Sequence, residues 1–234
     1  MFARPALKRG SKPEGESPFW ISFSDLMSAL MVLFLVVMAV TLVAVTKKYD
    51  EDTRAEIARA SAIRKIMDMI ADDPASKGVV VDRQNFRIDL GKDVRFESNS
   101  YVISIPAGQF IRSYVPVLLR AKATPEGQQW MRRIVVEGFT DEDGTYLYNL
   151  QLSLDRSRSV VCSLFQNTAA PDGLSSDQLR KVQDLFLVGG YSFNSIQRDK
   201  AASRRVEFKI DFWGLDEDPP RPNETLANKE FGKC

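Results

Sequence analysis

Asp25 constrains this chain more than any other residue, because it lies at the head of an apolar stretch long enough to cross a membrane. From Leu26 to Thr46 no charged residue occurs. At roughly 1.5 Å per helical residue, Ile21 to Val45 exceeds a hydrocarbon core of about 30 Å. A carboxylate near the centre of such a helix costs on the order of 2.5 to 3.5 kcal/mol on insertion scales, so intramembrane acids are neutralised, paired or part of an ion path. Phe19 and Trp20 fit an interfacial aromatic belt, which sets Asp25 about one turn below the headgroups. The competing placement slides the helix outward until Asp25 sits at the interface and only complements the positive end of the helix dipole. Ser22, Ser28 and Ala29 lie three, three and four positions from Asp25, giving one small, hydroxyl-bearing face suited to packing against partner helices.

Basic residues before the span (Arg4, Lys8, Arg9 and Lys12, against Glu14 and Glu16) lean toward a cytoplasmic N-terminus, offset in part by Lys47, Lys48 and Arg54 beyond it. The apolar run is too long for the h-region of a signal peptide, and Leu42 to Thr46 offers no small-residue cleavage site. The span therefore reads as an uncleaved, single-pass anchor in contact with membrane lipid.

Removing tail and span from the 234 residues leaves enough chain for one globular domain. Its 32 basic and 31 acidic residues are interspersed, which gives no electrostatic case for nucleic-acid binding. With no histidine, neither a Ser-His-Asp nor a Cys-His nucleophile system can be built, and two cysteines cannot make a four-thiolate metal site. No cofactor fingerprint occurs; Gly189-Gly190-Tyr191-Ser192 lacks the spacing of a phosphate-binding turn. The composition points to a non-enzyme.

Lys47 to Asp73 is charged and helix-prone, with Ile57, Ala60, Ile63, Met67 and Ile70 near helical spacing. This stripe packs on a dimer mate or on the following domain, or else forms a plug closing a channel; Asp72-Asp73-Pro74 ends it. Strands are expected over Val79 to Val81, Phe86 to Leu90, Ile134 to Phe139 and Val206 to Phe212, and helices over Ala107 to Lys122, Asn149 to Gln166 and Ser175 to Phe186, the last after a Pro-Asp-Gly turn at 171 to 173. Strands alternating with helices predict an α/β sandwich, one sheet covered by helices.

Two stretches carry family resemblances. Phe23-Ser24-Asp25-Leu26-Met27-Ser28-Ala29-Leu30-Met31, running on to Phe34-Leu35-Val36, resembles the single membrane helix of MotB-type stator subunits. Val136-Glu137-Gly138-Phe139-Thr140-Asp141, then Asn149-x-x-Leu152-Ser153-x-x-Arg156, then Arg204-Arg205-Val206-Glu207 is similar to the OmpA-like peptidoglycan-binding domain, three blocks in order. Phe96-Glu97-Ser98-Asn99-Ser100 matches that family's turn with Asn99 where Gly is common, and Asn tolerates the left-handed backbone the turn needs. Ser157 and Ser203 depart from the usual Ala and Asn. Within the stator lineage, the short linker, the insertion around Asn167 to Asp184 and the span itself are most similar to the stators of Zorya anti-phage defence systems.

The resemblance implies an OmpA-like α/β periplasmic domain behind one transmembrane helix: a cytoplasmic tail over 1–18, the span over 19–46, a linker helix over 47–78, the wall-binding domain over 79–213 and an irregular tail over 214–234. It implies two copies of the span inside a ring of a multi-span, MotA-like partner, with Asp25 carrying a proton in preference to sodium and Ser22 and Ser28 supporting the path. Asp141 would accept from the ammonium of a peptidoglycan diamino acid while Arg156 holds a carboxylate bidentately, with Thr140, Asn149 and Arg205 in support. Asp141 and Arg156 merely pairing with each other is the structural alternative. A flagellar-type stator and a passive membrane-to-wall tether are the alternative functions. In an oxidising compartment Cys162 and Cys234 permit one disulfide within the chain, one between chains at Cys234, or free thiols.

Overall fold

No glycine or proline occurs between Phe19 and Asp73, and the backbone accordingly forms one helix, α1, over Pro18–Asp72. The computed structural model describes residues 18–166, 171–217, 230–232 and 234, and of Pro18, Phe19 and Ile21 the backbone only. Residues 1–17 of the tail expected over 1–18, part of the insertion (167–170) and most of the irregular tail (218–229 and 233) lie outside the described residues. The chain forms two compact units, one ending at Arg54 and one beginning at Ala55.

In the first unit every side chain from Ser22 to Asp52 is exposed, Leu, Val, Met and Phe included. This stretch is long and apolar enough to cross a membrane, with a mean hydropathy of 2.8 over an 18-residue window. Backbone polar groups are satisfied inside the helix, so the apolar side chains can face lipid or other helices without stranding a hydrogen bond.

The second unit starts inside the expected linker. Ile63, Ile66, Met67 and Ile70 are all buried in the domain core, whereas Ile57 and Ala60 are exposed. The apolar stripe therefore docks on its own domain from Ile63 onward, and the boundary expected at residue 79 falls within a packed unit. Polar contacts fix the same turns. Arg59 Nε donates to the Trp213 carbonyl (2.7 Å), Lys65 pairs with Glu126 (2.5 Å) and Arg83 with Asp68 (2.6 Å). Beyond Asp72, the Asp73 carboxylate accepts from Ala75 N (2.9 Å) and caps a short 3-10 turn over Pro74–Ser76. That bond, followed by the Arg120 guanidinium, holds the Asp73 carboxyl below its usual range. Ile70→Ala is expected to cost about 2 to 5 kcal/mol by removing packed volume from the core. Ile57→Ala should change stability by less than about 0.5 kcal/mol, both read from chemical unfolding of the full chain in detergent.

The remaining elements are β1 (Val80–Asp82), β2 (Arg87–Asp89), α2 (Ile105–Ala123), α3 (Pro125–Trp130), β3 (Met131–Gly138), α4 (Tyr146–Phe165), α5 (Ser176–Leu185), β4 (Phe186–Gly190), α6 (Lys200–Ser203) and β5 (Val206–Phe212). They form a five-stranded sheet in the order β1-β2-β5-β3-β4, with β3 and β4 parallel and all other neighbours antiparallel. This is the expected α/β sandwich. Alternation sorts the two faces. Ile134, Val136 and Gly138 pair with Ile210, Phe208 and Val206, and this side packs against α4 and α5. Arg133, Val135 and Glu137 pair with Asp211, Lys209 and Glu207 on the other side, where Arg87 Nη1 lies 2.5 Å from Glu137 and 2.8 Å from Glu207 and offsets two carboxylates set opposite each other.

β4, α3 and α6 were not expected from the sequence. Phe186-Leu187-Val188 is only three apolar residues ahead of a glycine pair, and it continues the periodicity of α5, so Phe186 reads as a helix end. Conversely α2 begins two residues before Ala107 because Ser104 caps it, its Oγ accepting from Ala107 N (3.3 Å).

Candidate functional site

Gly138 and Gly190 are register partners on β3 and β4, and the absence of their side chains lets α4 lie against the sheet. A Cβ on Gly138 would fall 2.0 Å from the Ser153 carbonyl oxygen, and one on Gly190 would fall 2.6 Å from Ser153 Oγ. Small hydroxyls complete the contact: Ser157 Oγ donates to the Gly189 carbonyl (2.8 Å), and Ser153 Oγ accepts from Ser192 N (3.1 Å). Beyond the strands the pairing continues, with Tyr191 N donating to Gly138 O (3.0 Å) and Thr140 N to Ser192 O (2.9 Å). Strand exit, helix start and the segment after β4 are thereby held together at one end of the sheet.

Asp141 sits at this strand exit, its residue 6% exposed. One carboxylate oxygen accepts from Asp143 N (3.3 Å) and the other from Arg204 Nη1 (3.0 Å). Asn149, on the first turn of α4, donates through Nδ2 to the Asp143 carbonyl (2.8 Å) and so closes the loop between them, which turns through Gly144 at φ 102°. Two polar atoms here are buried without a partner among the described residues, Thr140 Oγ1 and Asn149 Oδ1. Buried oxygens left in this way are uncommon. Outside the cleft, Lys200 pairs with Asp143 at 2.6 Å.

Arg156 is fully buried. Its Nε donates to Ser100 O (2.9 Å), Nη1 to Phe139 O (2.8 Å) and Nη2 to Glu97 O (3.1 Å), and its guanidinium lies 5.2 Å from the centre of the Phe96 ring. Burial pushes its pKa down to about 10 although the Asp141 charge acts the other way, and nearby Arg204 lowers it further. Neither the direct Asp141–Arg156 pair nor a free bidentate fork is present: the arginine bonds backbone carbonyls, and the ion-pair partner of Asp141 is Arg204. The turn that Arg156 braces contains Asn99 at φ 55°, the left-handed conformation its sequence suggested.

Arg205 is also buried, but it points away from Asp141. It bonds Glu207 Oε1 (2.6 Å), Ser195 O (3.0 Å) and Ser195 Oγ (3.3 Å), and stacks 4.2 Å over the Phe139 ring. Of the five residues expected at the wall-binding site, Thr140, Asp141, Asn149 and Arg156 share one strand exit and its adjoining loops, while Arg205 braces the sheet beneath. Arg204 was quoted in the sequence only as part of a motif block. The signal that could have found it is its place two residues before β5, beside a second arginine that bonds Glu207 on that strand.

On α1, Asp25, Ser28, Ala29, Val32 and Val36 line one groove along the helix. Ser28 Oγ donates to Ser24 O (2.8 Å), so its lone pairs, not its proton, are left for an ion. Ser22 is exposed three residues before Asp25. Among the described residues, no group of three or more His, Cys, Asp or Glu is placed to hold a metal. Cys162 on α4 and Cys234 are bonded within the chain, their Cα atoms 5.8 Å apart, and Phe231 packs against Phe165 with ring centres 5.1 Å apart.

Residues 5–51 match the family described as membrane MotB of the proton-channel complex MotA/MotB. Among solved structures the chain is similar to the OmpA-like domain of FopA1 from Francisella tularensis subsp. tularensis SCHU S4, at 16% identity over 58% of this chain and 82% of that one, with a TM-score of 0.37. It is also similar to the periplasmic domain of Helicobacter pylori MotB, at 19% identity over 56% and 75%, with a TM-score of 0.40. The Zorya protein ZorB of Escherichia coli (strain ATCC 8739, Crooks) is 24% identical over 87% of this chain and 92% of the relative. That of Escherichia coli O139:H28 (strain E24377A) is 39% identical over 231 residues, 96% of this chain and 94% of the relative. Identity at that level over nearly the full length of both proteins settles the family: the chain belongs to the ZorB family of Zorya proteins.

Proposed function

We propose that the chain is a stator-type subunit of an ion-driven membrane motor, anchored to peptidoglycan and working in anti-phage defence. The observation that carries this reading is Asp25, a lone carboxylate at the head of an uncharged, membrane-length helix, within the stretch that matches the membrane MotB family. Binding a proton removes the charge of Asp25 from a low-dielectric setting, and losing it restores that charge. Alternation between the two forms can bias two packings of neighbouring helices. The groove of Asp25, Ser28, Ala29 and Val32 is small enough in side chain for such neighbours to approach closely. In this reading two copies lie within a ring of a multi-span, MotA-like partner. The N-terminus is cytoplasmic, the second unit is periplasmic, and the helix is a single pass through the inner membrane.

The second unit supplies the fixed end. Asp141, with Thr140 and Asn149 beside it, offers oxygen acceptors to the ammonium of a peptidoglycan diamino acid, and an arginine beside it offers donors to a carboxylate. Nothing in this arrangement breaks a bond; it grips. Asp141→Asn keeps the shape and removes the charge. Co-sedimentation of the full chain in detergent with purified sacculi is expected to fall about tenfold or more for this variant, the scale of one charge-assisted pair. Undiminished sedimentation would remove the wall-binding half of the proposal.

A further inference from the structure

We infer that the bond between Cys162 and Cys234 fastens a redox-dependent strap: the segment carrying Phe231 and Cys234 is held on α4 by the disulfide and not by packing, and a thiol–disulfide oxidoreductase closes it. The inference rests on the periplasmic placement proposed above only for where the bond forms.

The segment has little else to hold it. Glu230, Phe231, Gly232 and Cys234 are all exposed, Phe231 by 43%. Among the described residues no hydrogen bond or ion pair joins these four to the domain; the disulfide does, and the Phe231 ring lies against Phe165 with centres 5.1 Å apart. A Cβ added at Gly232 would meet nothing within 4 Å, so the backbone there is not enclosed either. One half-exposed ring cannot offset the freedom that a long loop loses on closing. A covalent link between residues 72 apart takes that freedom from the unfolded chain as well, and so holds where packing does not.

The loop that follows α4 is fixed by other means. Arg112 on α2 is buried; its Nη1 donates to Ser163 O (3.0 Å), and its Nε (2.9 Å) and Nη2 (2.6 Å) bond Asp172 Oδ2. Just beyond, Leu174 and Leu179 belong to the core. The end of α4 therefore has one permanent attachment and one reversible one. Reduction leaves the Arg112 contacts in place and removes Phe231 and Gly232 from a groove whose other wall is Phe165, Leu174 and Leu179. Cys234 is exposed and Cys162 half-buried, so exchange begins at Cys234. Its thiolate attacks one sulfur of the oxidoreductase's disulfide, and the Cys162 thiolate then displaces the oxidoreductase from the mixed disulfide. The pair gives up two protons, and its two electrons reduce the oxidoreductase's disulfide to a dithiol. An oxidising compartment sustains this direction and a reducing cytosol reverses it.

The test uses the full chain in detergent, with tris(2-carboxyethyl)phosphine as reductant and thermal unfolding and hydrogen exchange as readouts. Reduction is expected to lower the unfolding midpoint by roughly 5 to 15 °C, the scale of a long-loop cross-link in a domain of this size, and reoxidation to restore it. Cys234→Ser should lower the midpoint equally and make it insensitive to reductant, whereas Phe231→Ala, with the bond intact, should lower it by less than half as much. After reduction, amides at 162–165 should exchange about tenfold faster and those at 172–179 at an unchanged rate. A midpoint unmoved by reductant would overturn the inference. So would a loss in Phe231→Ala as large as in Cys234→Ser, which would make packing the fastening. Alkylation of free thiols in acid-quenched cells should find the pair bonded in ordinary cells and both thiols free in cells lacking their periplasmic thiol oxidases. A bond formed as fully in the second strain would overturn the part given to the oxidoreductase. Free thiols in ordinary cells, with the purified chain still stabilised by oxidation, would overturn the periplasmic placement and leave the strap standing.

Discussion

Cells carrying the intact system with Asp25→Asn are expected to lose phage protection completely, with plating efficiency returning to that of cells lacking the system. The substitution is nearly isosteric and leaves the helix and its apolar face unchanged. An uncharged amide also inserts more readily than an ionised carboxylate, so a folding or insertion defect would run in the opposite direction. What disappears is the ability to alternate between neutral and charged forms. Protein level and co-sedimentation with sacculi should match wild type, because the residues proposed to bind the wall belong to the other compact unit. Full protection by this variant would leave the chain a passive tether between membrane and wall.

Gly138→Val is expected to unfold or grossly destabilise the second unit, by about 3 kcal/mol or more, beyond the usual range for an overpacked core. The clash is with backbone: the added Cβ would lie 2.0 Å from the Ser153 carbonyl oxygen and 2.6 Å from Ser157 Oγ, and no side-chain rotation relieves the first contact. To accept the substitution α4 must leave β3, taking Asn149 and Arg156 with it. Wall binding should therefore be lost along with the fold of the unit, unlike Asp141→Asn, which gives up the Arg204 pair but leaves α4 seated on β3. Denaturant unfolding of the full chain with tryptophan fluorescence checks this; a midpoint within the error of wild type would mean that α4 is not seated on β3 as described.

How much of this was legible in the sequence follows from where period and partner each matter. β5 declared itself because it alternates over seven residues, β3 because Ile134-Val135-Val136 begins a short apolar run of buried-strand character, and α1 because nothing interrupts it. β4 did not, since a three-residue apolar run before two glycines has no period of its own and makes sense only once β3 lies beside it. The stripe from Ile57 to Ile70 was visible, but not that docking begins at Ile63, because helical spacing defines a face without saying what covers it. At the cleft, motif order correctly gathered Thr140, Asp141, Asn149 and Arg156 at one strand exit. It could not assign their bonds. Whether Asp141 meets Arg156 or Arg204 depends on the 96–100 turn, which encloses Arg156 with carbonyls and leaves Arg204 facing the carboxylate. Paired arginines at 204 and 205 look equivalent in sequence, and one residue of strand geometry sends them to opposite sides.

The reading as a motor depends on Asp25 lying in the membrane interior. The most direct measurement is carbodiimide labelling of membranes containing the full chain, read by mass spectrometry at Asp25. A lipophilic carbodiimide, which reaches protonated carboxyls in apolar surroundings, should modify Asp25, and a membrane-impermeant, water-soluble one should not. Ready modification by the water-soluble reagent alone would put the carboxylate in bulk water and contradict ion coupling through this residue.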